Sequence, residues 1–210
     1  MRPPARLATL AGLVSLATLL CASAPAGADS LSGGEADRLI HGQNVSRRQD
    51  LRLGMRRFVG GVTYSIVDWG PDEVTALLYD VGLWKRLIPM ERDVRRIADA
   101  GNDPRVEVSH GNALINVKYS LRVKRDGRVV RFWMDPTMAH DIQDVWGFFR
   151  PEELPDGRTL ITFGILIDLG DGMLRDLFEN QVRELAVVEI PNNVRTVIVE
   201  RTARGRRAAR

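Results

Sequence analysis

The chain reads as an α+β domain: a curved antiparallel sheet of about six or seven strands around one long C-terminal helix. Three observations predict it. Strand-length segments with every second residue apolar recur between residues 58 and 167, two short helical patterns follow the first of them, and the periodicity turns helical from Gly172 to Arg201. That order sets a concave sheet against the final helix and leaves a space between them.

Phe58 to Val67 is the first expected strand, with Gly60-Gly61 allowing a bend or bulge. Pro71-Asp72-Glu73 opens a helix, because proline suits the first turn and acids suit the positive end of the dipole. Val74, Leu77, Leu78 and Val81 form its apolar stripe and Gly82 ends it; Trp84, Leu87 and Ile88 mark a second short helix before Pro89. Met90–Ala98 and Val106–Val108 read as strands about the Ala100-Gly101-Asn102-Asp103-Pro104 turn. Ala113, Ile115, Val117, Tyr119, Leu121 and Val123 alternate with polar residues, giving one dry and one wet face. Asp126-Gly127 then turns the chain so that Val130, Phe132 and Met134 return over the dry side. Ile142, Trp146 and Phe148 are expected on one face of the next strand with Asp144 between them, and Ile161, Phe163, Ile165 and Ile167 on one face of the last. Leu174, Leu177, Phe178, Gln181, Leu185 and Val188 begin the final helix, which Pro191 should kink by removing a backbone donor.

The ends differ from the body. Arg2 and Arg6 precede an apolar run from Leu7 to Leu20, and Ala26 and Ala28 are small residues placed for cleavage: a secretory signal peptide over 1–28. The run of about 14 residues is too short to span the ~30 Å hydrocarbon core as a helix. Cleavage after Ala28 removes Cys21, the single cysteine, and with it disulfides, thiol nucleophiles and thiolate metal sites. The expected destination is the periplasm or the medium. Residues 29–54 read as a linker holding one short helix, 55–203 as the domain and 204–210 as a basic tail. The net charge of +3 conceals an acidic body: without two signal arginines and five in the last ten residues, 23 bases face 27 acids, a net of −4. Such a body is no nucleic-acid platform. The tail offers a weak electrostatic contact to an anionic membrane, against its plainer reading as a frayed, solvated terminus.

The segments Val74–Trp84, Val117–Val123, Asp144–Phe149, Asp156–Phe163 and the final helix together resemble the START-like superfamily, also called SRPBCC, the helix-grip domains of polyketide cyclase/dehydrase and lipid-transfer type. The resemblance spans residues 58–203 and rests on diffuse patterns instead of an invariant signature. It implies a deep cavity between the sheet and the last helix for an apolar or amphipathic ligand such as a lipid, isoprenoid or polyketide-like molecule. Most members of that superfamily are cytoplasmic, whereas this chain carries an export signal.

Trp84, Tyr119, Phe132, Trp146, Phe148, Phe163 and Phe178 are the aromatic candidates to line that cavity, against the alternative of an ordinary packed core. Tyr119 is distinctive, because a buried hydroxyl wants a partner and a ligand head group can be one. Asp144, if inward, is a polar fixture or a general base; otherwise it bonds a loop amide or a base. Gln181 and Arg183 are polar positions on the final helix near the same space. His41, His110 and His140 show no metal-ligand spacing, and no Gly-x-Ser-x-Gly elbow or phosphate loop occurs, so no metal or cofactor is called for. Two functions follow as expectations: an exported, non-enzymatic binding domain for a hydrophobic small molecule, and a cyclase, aromatase or dehydratase that orients a reactive chain near Tyr119 and Asp144.

Overall fold

The computed structural model describes residues 31–89, 91–100, 103–111 and 116–208. The expected signal segment 1–28 and its cleavage point, Met90, the Gly101-Asn102 turn, and Ala113 with Ile115 lie outside the described residues, as do the side chains of Leu174 and Leu177.

The described residues from Gly33 onward form one compact unit. Among the described residues its sheet has eight antiparallel strands: β1 (Val45–Leu53), β2 (Arg56–Val67), β3 (Glu91–Ala100), β4 (Asp103–Gly111), β5 (Asn116–Asp126), β6 (Val129–Met134), β7 (Asp144–Glu153) and β8 (Thr159–Asp168), in the spatial order β1-β2-β8-β7-β6-β5-β4-β3. The helices are α1 (Gly33–Ile40), α2 (Pro71–Tyr79), α3 (Trp84–Leu87), α4 (Met173–Glu184) and α5 (Ile190–Ala208). A 3₁₀ turn, Val81–Leu83, joins α2 to α3, and a π turn, Leu185–Glu189, joins α4 to α5.

The eighth strand is β1, which overturns the linker expected over 29–54. Only Val45 of its nine residues is buried, so its sequence lacks the alternation that marks a half-buried strand. It is an edge strand rich in arginine, and charge on an edge discourages pairing with other chains. The basic tail also begins in regular structure, since α5 runs to Ala208 instead of fraying at residue 203.

The helix α2 starts as its residues dictate, with Pro71 in the first turn and Asp72 and Glu73 beside it. It ends earlier than Gly82. Asp80 caps it, and its carboxylate accepts from the Gly82 amide to start the 3₁₀ turn. Gly60 and Gly61 pair in unbroken register with Leu166 and Ile165, so no bulge forms. A side chain at Gly60 would meet the Ile165 carbonyl at 2.0 Å, so the two strands approach where only glycine fits.

One hydrophobic core fills the concave side of the sheet. Val106, Val108, Val123, Val130 and Phe163 come from the sheet, Val74, Leu78 and Leu87 from α2 and α3, and Val187, Val194 and Ile198 from the long helix. The two halves of that helix are held differently. Whereas α5 packs by apolar contact, α4 is tied to β1 and β2 by Arg48–Glu184 at 3.0 Å, Arg183–Asp50 at 2.8 Å and Arg57–Glu179 at 2.8 Å. Between them, Pro191 lacks the amide that would bond the Val187 carbonyl four residues back. That carbonyl instead accepts from Thr63 Oγ at 2.5 Å and Ser46 Oγ at 3.1 Å. The expected break at Pro191 is thus a π turn whose freed, buried carbonyl is held by hydroxyls of the sheet.

Candidate functional site

Between α3, the concave sheet and the π turn lies a cavity of about 40 Å³. Trp84, Leu87 and Ile88 close one side, and Leu185 and Ile190, at the two ends of the π turn, close another. The floor is sheet: Leu121, Phe132, Val145, Phe149, Phe163 and Ile165 among others. Cross-strand order explains the aromatic cluster, since β6, β7 and β8 are neighbours and each places a phenyl ring inward. Phe149 and Phe163 stack at 4.6 Å between centroids, and Trp84 meets Phe132 edge to face at 5.5 Å. The indole of Trp84 is fixed by donation from Nε1 to the Leu78 carbonyl at 3.0 Å. A volume of this size takes on the order of one or two waters, whereas ligand pockets run to roughly 300–1,000 Å³.

The polar feature of the wall is a pair. His110 on β4 and Tyr119 on β5 face each other, with Nε2 and Oη 2.9 Å apart and the rings 5.7 Å between centroids. Desolvation lowers the His110 pKa to about 4 and raises that of Tyr119 above its ordinary value. Both groups are therefore neutral near pH 7.

The expected site residues divide. Trp84, Tyr119, Phe132 and Phe163 line the cavity. Phe178 is half-buried on α4 away from it, and Gln181 points to solvent. Arg183 reaches Asp50 and Glu179 instead of the cavity. The helix touches the cavity at Leu185 and Ile190, and no described α4 side chain lines it.

Trp146, Phe148 and Asp144 are corrected outright. β7 points Val145 and Phe149 inward, so its even-numbered residues lie on the other face. Trp146 is 40% exposed, and Phe148 lies over Gly164, where an added Cβ would meet its ring at 2.5 Å. Asp144 accepts from Arg56 Nη2 at 2.7 Å, and the same guanidinium donates to Asp168 at 3.1 Å. Asp144 is therefore a structural ion-pair partner, far from any base role in the cavity. Two facts misled the sequence pattern. Ile142 is buried but precedes the strand, and the inward position between Val145 and Phe149 is Gly147, where a Cβ would strike the Phe132 ring at 2.3 Å.

His110 is the residue that spacing did not select. It lies outside the apolar alternation, and its partner is reached across strands. Its neighbour at Val108 pairs with Tyr119, a register that only the folded sheet provides. A second buried titratable group, Asp135, is structural: Arg105 and Arg122 stand 2.7 and 3.0 Å from its carboxylate, and hydrogen bonds from Arg122 and then Thr137 hold it well below the usual carboxylate range. No cluster of ligating side chains suited to a metal occurs among the described residues.

A curved antiparallel sheet closed by a C-terminal helix over an apolar interior defines the START-type helix-grip fold. No protein-family model matches the chain, and no curated protein matches it in sequence. Solved structures do match. The STAR-related lipid transfer protein from Xanthomonas axonopodis is 11% identical with a TM-score of 0.55, over 73% of this chain and 98% of that one. The Zhui aromatase/cyclase from Streptomyces is 16% identical with a TM-score of 0.50, over 79% of this chain and 97% of that one. A START superfamily protein from Mycobacterium smegmatis is 8% identical with a TM-score of 0.52, over 66% and 96%. At these identities the likeness is one of fold.

Proposed function

We propose that the protein is an exported binding domain that carries or senses a hydrophobic or amphipathic small molecule between its sheet and the long helix. The observation that carries the reading is the apolar cavity with one uncharged polar pair on its wall. Export rests on the signal-like pattern of residues 1–28. At about 40 Å³ the cavity must enlarge to take a lipid-sized guest. The arrangement of the helix supports such opening: α4 is held by partly exposed ion pairs, each worth about 1 kcal/mol or less, while α5 is held by core packing. The π turn between them is the natural hinge, and such turns recur at functional sites.

A second reading, an enzyme of cyclase or dehydratase type, draws on the His110–Tyr119 pair as a proton-exchanging couple. It no longer draws on Asp144. The deciding experiment is native mass spectrometry of the protein purified without detergent from the exported fraction. A bound apolar mass released on denaturation is the expected result; a bare protein that also refuses fluorescent fatty acids and alcohols would overturn the binding reading.

A further inference from the structure

The chemistry of the cavity wall narrows its guest. Among the described lining residues none carries a charge, and the indole N–H of Trp84 is already bonded to Leu78. Polar recognition therefore falls to His110 and Tyr119.

We propose that this pair selects apolar molecules whose polar group is an uncharged hydroxyl or carbonyl, and discriminates against carboxylates. The inference rests on the binding reading above.

The pair has two settings. In one, the Tyr119 hydroxyl donates to His110 Nε2, the imidazole proton sits on Nδ1, and the phenolic oxygen accepts from a guest hydroxyl. In the other, His110 Nε2–H donates to the phenolic oxygen, which frees the Tyr119 O–H to donate to a guest carbonyl or hydroxyl. The 2.9 Å separation suits both, and moving between them changes only the imidazole tautomer and the hydroxyl rotor. One pair thus serves an alcohol in either setting and a ketone in the second. A carboxylate fares worse. Its charge would have to leave water for a wall that offers one neutral donor, and burying an ion without a counter-charge costs several kcal/mol. Neutral His110 supplies no such counter-charge near pH 7, because its proton is lost above about 4.

The test compares four probes of equal chain length, an alkane, a primary alcohol, a methyl ketone and a fatty-acid anion, binding to the purified protein at about pH 7. Alcohol and ketone are expected to bind about tenfold or more tighter than both the alkane and the anion. Tyr119→Phe should reduce that advantage by about five- to tenfold, as expected for a lost hydrogen bond, and an undiminished advantage would overturn the proposal. Should that variant fail to fold, nitrogen NMR of the His110 ring in the unaltered protein gives an independent readout. Ketone binding is expected to place the imidazole proton on Nε2, and ring signals indifferent to the ketone would overturn the proposal. Equal binding of all four probes would overturn the selectivity and leave the binding reading standing. If no probe binds, both fall.

Discussion

Burial leaves His110 neutral where an exposed imidazole would be partly charged, and the consequence is a pH dependence of stability. Its pKa drops from 6.5 to about 4 through desolvation. Between those values the unfolded chain binds a proton that the folded chain refuses, so stability falls as pH drops through 6.5 and levels off below about 4. At about 1.4 kcal/mol per pKa unit the ceiling is roughly 3 kcal/mol, and partial exposure brings the expectation nearer 1–2. Urea unfolding of the protein and of His110→Gln across this range should show a shallower acid limb in the variant. Parallel curves would mean that His110 does not titrate as its burial dictates. Tyr119 and Asp144 make the complementary point about single residues. The first was legible because a tyrosine in a dry-face position asks for a partner; the second misled, because facing is a property of the strand's exact start and not of the residue.

At the scale of elements, the long helix is two segments with a designed interruption. Pro191 was visible in the sequence as a break, but the form of the break was not. The fold answers the missing amide with Thr63 and Ser46, which lie on β2 and β1 and pair with each other across the strands. Thr63→Val should therefore cost about 1 kcal/mol, the net worth of one hydrogen bond, since Ser46 still donates to the Val187 carbonyl. Pro191→Ala restores an amide able to serve Val187, so Thr63→Val should cost less in that background. Denaturant melts of the four proteins of this cycle measure the coupling, and strictly additive effects would sever the link between proline and threonine. The strands tell a parallel story: β5 and β8 announced themselves by alternation, while β7 hid its phase behind Gly147, and β1 showed no phase because it lies at an edge with polar side chains on both faces.

For the whole molecule, β1 and α1 complete the fold instead of leading into it. β1 pairs with β2 over nine residue pairs, and Arg47 of β1 joins Glu35 of α1 at 2.6 Å. Removing residues 33–53 would bare the β2 edge, twelve residues long and largely buried in the intact chain. The expected outcome is a lowered melting temperature and self-association on size-exclusion chromatography. A monomer with unchanged melting would return the segment to the status of a linker.

Local chemistry determined the class of fold, the order of its strands from 58 to 167, the proline-led start of α2 and the place of the proline break. Each of these follows from periodicity or from a backbone property of one residue, which neighbours in sequence express. Tertiary structure alone decided which face of β7 turns inward, that residues 45–53 form a strand, how small the cavity is, and that His110 meets Tyr119. Those depend on register between strands far apart in the chain, where one residue of slip exchanges core for solvent.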